Sequence, residues 1–310
     1  MTASAANSGV MTTIAVAGAT GDLGGRIITA LLARGAQVRA LVRPGAAPEK
    51  LAALDQPGVT TVAADLTDAS AATATLAGVS GVVSALQGLR DVIVDAQAAL
   101  LEAAVRAGVS RFIPSDFSSD FTKLLPGENR NFDLRRDFHA RLDAAPIKAT
   151  SILNGAFAEI LGYNIPFLDF KGKRVGYWDD GDWRVDFTTM DDVAAFTAAA
   201  ALDDAAPRFL RIASFQVSAN ELAPLAGAAL HLPFAPVRLG SRAELAAHNR
   251  AQRAAHPEGE HELYPDWQRG QYMHSMFTTQ LAPLDNDRYP WLQWTDVKTV
   301  LAGIAARNRQ

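Results

Sequence analysis

The first half of the chain alternates between two apolar spacings. Compact runs, Thr13 to Ala17, Gln37 to Val42, Val59 to Ala64, Gly81 to Ala85 and Arg111 to Pro114, read as buried strands. Between them, Leu23 to Arg34, Ala69 to Ala77 and Val92 to Ala107 carry apolar residues at helical spacing, the last stopped by Gly108. Strands alternating with helices predict a parallel sheet, and right-handed crossovers bring the carboxyl ends of its strands to one edge. Beyond Ser115 the rhythm loosens. Phe132 to Ala144 reads as a helix with Leu134, Phe138 and Leu142 as its buried stripe and Asp137 with Arg141 as a solvent-side pair. Lys148 to Leu153 is the expected sixth strand, Met190 to Leu202 an Ala-rich helix, and Arg208 to Ile212 a seventh strand returning to the sheet.

This pattern predicts an α/β fold, a Rossmann-type doubly wound parallel sheet with a smaller C-terminal substrate lobe. Residues 1–12 are expected to be a flexible extension. Residues 13–154, with the sheet completed by 188–213, form the expected nucleotide-binding domain, and 155–187 with 214–310 the lobe over the strand ends. All five tryptophans fall in the lobe portion. Trp178, Trp183, Tyr264, Trp267, Tyr272, Trp291 and Trp294 are candidates to line an aromatic pocket, or simply to build the lobe's core.

Composition narrows the function. At 310 residues and a formal charge of -4, the chain has no basic field for nucleic acid. Without cysteine there is no disulfide framework, thiolate nucleophile or thiolate metal site. His256 and His261 belong to a charged loop rather than a paired helical ligand motif, so no metal is expected. No apolar run reaches membrane-spanning length and no secretion signal opens the chain, which makes the cytoplasm the expected location.

The candidate chemistry starts where the first strand turns at Gly18, Gly21 and Gly24 into the first helix. Glycines at this spacing allow a tight turn, close approach of a pyrophosphate and close packing of helix on strand. The phosphates then meet unpaired N–H groups and the positive end of the helix dipole, along Thr20, Gly21, Asp22 and Leu23. Where NAD sites place a carboxylate at the end of the second strand, this chain has Arg43. A guanidinium pairs with a 2′-phosphate, so the expected cofactor is NADP(H). Asp65 either meets the adenine amino group or is an ordinary turn aspartate. Ser84, Ala85, Leu86 and Gln87 close the fourth strand and should flank the central ribose and nicotinamide, with Ser115 at the fifth-strand edge and Asn154 and Phe157 closing the sixth.

The segments Gly18-Ala-Thr-Gly-Asp-Leu-Gly24, Leu41-Val-Arg43, Gly108 to Phe117, Thr150 to Phe157 and Asp186 to Val193 together resemble the NmrA-like and isoflavone-reductase-like atypical short-chain dehydrogenases. The resemblance covers most of the chain. It implies an NADP(H)-binding Rossmann domain and either reduction of aromatic or quinone-like molecules or cofactor sensing without turnover. Short-chain dehydrogenases usually place a lysine four residues after a tyrosine, on one helix face, to lower the phenol pKa. Here the residues four beyond Tyr163, Tyr177, Tyr264, Tyr272 and Tyr289 are Phe167, Gly181, Gln268, Met276 and Gln293, so that pair is absent. The resemblance also implies a lysine on the helix before the sixth strand, and Phe132 to Ala144 has none. Lys123, in a loop expected to overhang the nicotinamide, and His139 are the replacement proton donors, followed by solvent; the bland readings are an exposed loop lysine and a surface histidine. The leading expectation is an NADPH-dependent reductase of a small aromatic, quinone-like or conjugated substrate. The alternative is an NADP(H)-binding redox sensor acting on a partner protein, and a homodimer stays open.

Overall fold

The computed structural model describes residues 12–307, so the extension expected over residues 1–12 lies, except for Thr12, outside them. Six parallel strands form the main sheet in the order β3-β2-β1-β4-β5-β6. They are β1 (Thr13–Ala17), β2 (Gln37–Val42), β3 (Val59–Ala63), β4 (Gly81–Ser84), β5 (Arg111–Ile113) and β6 (Lys148–Ala149). The strand order reverses direction between β1 and β4, and open α/β sheets bind ligands in the crevice at such a reversal.

Helices cover both faces: α1 (Asp22–Leu32), a short α2 (Pro48–Ala52), α3 (Ala69–Thr75), α4 (Gln97–Arg106) and α5 (Arg130–Leu142). The expected Val92 to Ala107 helix opens as a π-helical turn over Asp91–Ala96 before becoming α4. Alternate strand residues explain why the runs are apolar throughout. Ile14, Val16, Val38, Ala40 and Val83 pack with Ile27, Ile28 and Leu31 of α1, while Ala15, Ala17, Leu41, Val82 and Phe112 pack with Leu76, Leu100, Phe138 and Leu142 on the other face.

The sixth strand is split. Its first half, β6, pairs with β5, and its second half, β7 (Ser151–Leu153), pairs in parallel with β11 (Phe209–Arg211). Before β11 come β8 (Ala156–Phe157), β9 (Arg174–Trp178), β10 (Val185–Thr188) and the Ala-rich α6 (Met190–Ala201), which packs along α1. Arg26 ties the two helices by bonding Asp22 at 2.7 Å and Asp191 at 2.5 Å.

The remaining elements are β12 (Phe215–Val217), α7 (Ala219–Leu230), β13 (Ala235–Gly240), α8 (Arg242–Ala255), α9 (Asp266–Met276) and α10 (Val297–Arg307). Here β10 lies between β8 and β12, and β13 pairs with β9. A separate apolar cluster forms around Phe167, Trp178, Phe187, Leu222, Met273, Phe277 and Leu301. Ser218 and Ser241 start α7 and α8 with full capping boxes, completed by Glu221 and Glu244.

Candidate active site

The glycine turn has the strain and crowding that its sequence implies. Gly18 has φ +79° and a Cβ there would overlap the Ala85 carbonyl, while a Cβ on Gly24 would overlap the Gly18 carbonyl. Gly21 donates to the Gly18 carbonyl at 3.0 Å and stands at the start of α1 with no side chain capping it. The first-turn N–H groups of α1 therefore face outward, beside exposed Thr20, Gly21 and Asp22 and half-buried Leu23, and an anion satisfies them. The crowding of Gly18 and Gly24 and these uncapped N–H groups fit a pyrophosphate.

Beside this turn a cleft of about 410 Å³ opens toward α2, with Lys50 on its wall. Arg43 follows β2 directly, is exposed, and enters no side-chain hydrogen bond or ion pair among the described residues. Lys50 is a cation the sequence reading missed, because a single lysine in a short helix has no pattern of its own. Asp65 accepts from the Thr67 N–H at 2.9 Å and hydroxyl at 2.6 Å, which holds its carboxyl below the usual range. Its side chain thus serves a turn, leaving its backbone for any adenine contact.

At the ends of β4 and β5 a run of contacts links the strand ends to the lobe. Leu86 accepts from the Ser115 hydroxyl at 2.6 Å, and the Ser115 N–H donates to buried Gln97 at 2.9 Å. Ser84 lies fully buried just below, its hydroxyl without a partner. Gln87 reaches across to the Tyr264 hydroxyl. Tyr264 neighbours Tyr272, with 6.2 Å between centroids, and Tyr272 meets the edge of Phe132 at 5.3 Å. The Tyr272 hydroxyl accepts from Asn131 at 3.0 Å, and the Arg135 guanidinium lies 5.8 Å from the Phe132 ring. Tyr264 is held there by buried Arg130, which donates to the carbonyls of Gly259, Glu262 and Leu263 at 2.8 to 3.0 Å.

Of the seven aromatic candidates, Tyr264 and Tyr272 take part in these contacts. Trp178 packs on Phe277 at 5.1 Å in the lobe core, Trp183 donates to the Met276 carbonyl at 3.0 Å, and Trp267 sits between Arg130 and Arg253 at 4.7 and 5.0 Å. Trp294 lies on Phe196 of α6, with Trp291 beside Tyr289.

His139 is buried, which corrects the surface reading. Its Nε2 meets Asp116 Oδ2 at 2.6 Å, the Ser151 hydroxyl donates to the same oxygen at 2.5 Å, and Phe121 closes over the ring at 5.1 Å. Burial pushes the Asp116 carboxyl up, but the His139 ring, Ser151 and Arg135 outweigh it and hold the group below its ordinary value. The expected pairing of Asp137 with Arg141 is also corrected. Both residues are exposed as expected, but Asp137 pairs with Arg90 and Arg141 with Asp95, because this face of α5 lies beside the π-helical turn.

Lys123 stands on a short 3₁₀ turn, its side chain 42% exposed, and its Nζ donates to the Gln280 carbonyl at 3.0 Å and lies 3.6 Å from Asp120. The far wall carries Asn154, fully buried, with neither amide atom partnered. Phe157 packs against the sheet core beneath it. An unsatisfied buried amide at the end of β7 fits a polar ligand group. No group of metal-ligating side chains occurs, and no helix is long and apolar enough to cross a membrane, among the described residues.

The sheet order and the glycine turn define a Rossmann-type α/β protein. More narrowly, the chain belongs to the NmrA-like family, whose model matches residues 11–230. It is 32% identical over 206 residues to pinoresinol reductase 2 of Arabidopsis thaliana, covering 62% of this chain and 65% of that protein. The match to pinoresinol reductase 1 of the same plant spans 63% of its length, so the chain covers just under two thirds of these relatives. To an isoflavone reductase homolog of Zea mays it is 30% identical over 229 residues, covering 68% of this chain and 72% of the relative. In fold it is similar to a solved structure of AtPrR2 with NADP+ and (+)pinoresinol, at 24% identity and TM-score 0.76, covering 96% of this chain and 99% of that one. A leucoanthocyanidin reductase–NADPH complex from Vitis vinifera gives TM-score 0.78 at 20% identity, with 95% and 99% covered.

Proposed function

We propose that the protein is an NADPH-dependent reductase that passes hydride to an electrophilic carbon of a small aromatic, quinone-like or conjugated substrate. The observation that carries this reading is the uncapped glycine cradle on α1 with unpaired Arg43 beside it. Relatives named as reductases of aromatic molecules, and fold neighbours solved with NADP+ or NADPH, support it.

In this reading residues 13–154 with 188–213 hold the cofactor, and 155–187 with 214–310 cover the substrate. Thr20 to Gly24 grip the pyrophosphate through backbone N–H groups, and Arg43 with Lys50 take the 2′-phosphate. The Asp65 backbone borders the adenine. Ala85, Leu86, Gln87 and Ser115 flank the central ribose above Ser84, and Asn154 offers its amide to the nicotinamide side. When bound, the nicotinamide supplies the hydride. The chain's own residues orient the two reactants and exclude water. Reduction also requires one proton, and Lys123 has the solvent access to deliver and regain it, whereas sealed His139 holds the Asp116 loop in place.

The test is loss of NADPH absorbance against a panel of quinones, enones and aromatic alcohol precursors. The expected result is a substrate-dependent loss that is slower with NADH and falls about a hundredfold or more in Lys123→Ala. A protein that binds NADPH yet turns over no member of the panel contradicts the reductase reading, and an unchanged Lys123→Ala rate removes Lys123 as proton donor.

A further inference from the structure

We propose that Arg135 is the anion-binding residue of the substrate site, receiving a carboxylate or phenolate oxygen of a flat aromatic substrate. This deepens the reductase reading above and rests on it. Three arginines lie within seven residues of α5, and two are fully committed. Arg130 is spent on lobe carbonyls, and Arg136 on Asp133 and the Phe121 carbonyl, each at 2.5 Å, and on the Leu124 carbonyl at 2.6 Å. Arg135 instead gives one N–H to the Asn131 carbonyl of its own helix at 2.9 Å, while its Nε is buried with no partner. No carboxylate lies within ion-pair distance of it among the described residues.

A guanidinium cannot shed its proton to escape this situation, and an unpartnered buried donor is costly. The described side chains leave this donor without an acceptor, and a ligand oxygen would supply one. The surroundings favour an oxygen anion on an aryl ring. Tyr264, 40% exposed, supplies a flat apolar wall, and Tyr272, whose oxygen already accepts from Asn131, keeps its own O–H free to donate. Burial pushes the Tyr272 hydroxyl up, so it stays a neutral donor. Asp116 feels the charge of Arg135 but makes no ion pair with it: its Oδ2 is taken by His139 and Ser151, and its Oδ1 is buried without a partner. An acid bound in this fork places the substrate's ring between the two tyrosines and the ends of β4 and β5, where hydride transfer is expected.

Calorimetric titration of the full-length protein, with and without saturating NADP+, tests this with two matched pairs of probes. One pair is 2-naphthoate and 2-naphthamide; the other is 4-nitrophenolate and 4-nitroanisole, titrated above the phenol's pKa. The wild type is expected to bind at least one anion about tenfold or more tighter than its neutral counterpart. Which pair shows the preference distinguishes carboxylate from phenolate. Arg135→Gln is expected to bring the two members of that pair to nearly equal affinity while NADP+ binding is retained. If Arg135→Gln does not fold, Arg135→Lys carries the test and is expected to lose part of the preference, because an ammonium cannot make the bidentate contact. Equal affinities in the wild type, or a preference undiminished in the variants, overturn the proposal and leave Arg135 as a distant counter-charge to Asp116. Loss of NADP+ binding by the wild type would instead count against the cofactor reading, and is scored separately.

Discussion

Asp186 sits in the middle of β10, 5% exposed, accepting from Gln216 at 2.6 Å and from the Leu281 N–H at 2.8 Å. Burial dominates these bonds and pushes its carboxyl up to about 6. Because the folded group binds its proton more tightly than the unfolded one, the folded state holds the extra proton between the two pKa values. Stability from this residue is therefore highest below pH 4 and declines as pH rises toward 6, by about 3 kcal/mol in all. Urea denaturation of the wild type and Asp186→Asn should show the variant gaining on the wild type by that amount between pH 4 and pH 7. A difference that stays constant across this range contradicts the assignment. The sequence marked this segment but not its burial: alternation along Val185-Asp-Phe-Thr188 places Asp186 outward, yet every residue of β10 is buried. Gly18 and Gly24 were legible because the crowding they relieve follows from the local turn, and the exposed charge of Arg43 at the end of β2 was legible from its position. Lys50 and Arg135 were not, since what matters for them is which partners are missing.

At the scale of elements, the helices and strands of the sheet follow from local spacing, and the buried stripe Leu134, Phe138 and Leu142 on α5 was readable for the same reason. The split of the sixth strand was not. Lys148 to Leu153 is one apolar run, yet Thr150 marks a fork at which the chain leaves β5 for β11. A polar wedge fills the fork: Asp116, His139, Ser151 and Arg208, which donates to the Ser151 hydroxyl at 2.6 Å. The sequence separates these residues too widely to reveal the wedge, so His139 looked like a surface group. Removing one partner of a buried charge strands the other, so His139→Ala should cost about 3 kcal/mol or more. Urea unfolding measures this. A loss under about 0.5 kcal/mol, the range of ordinary surface substitutions, would mean that the wedge is not holding the fork.

Across the whole molecule, the half that resembles a dinucleotide-binding unit was legible because each βα step announces itself locally. The link between strand ends and lobe was not, since it is made by contacts such as Gln87 to Tyr264, which are 177 positions apart. The aromatic residues that sequence grouped together are divided between lobe core, α6 and crevice, with only Tyr264 and Tyr272 at the crevice. The proposed function nevertheless depends on a nucleotide being held by α1 and Arg43. The most direct measurement is a calorimetric comparison of NADPH and NADH binding to the wild type and to Arg43→Ala. The account predicts tight NADPH binding, NADH weaker by about tenfold or more, and most of that gap lost in the variant. No heat with NADPH at several temperatures, or a preference untouched by Arg43→Ala, would contradict it.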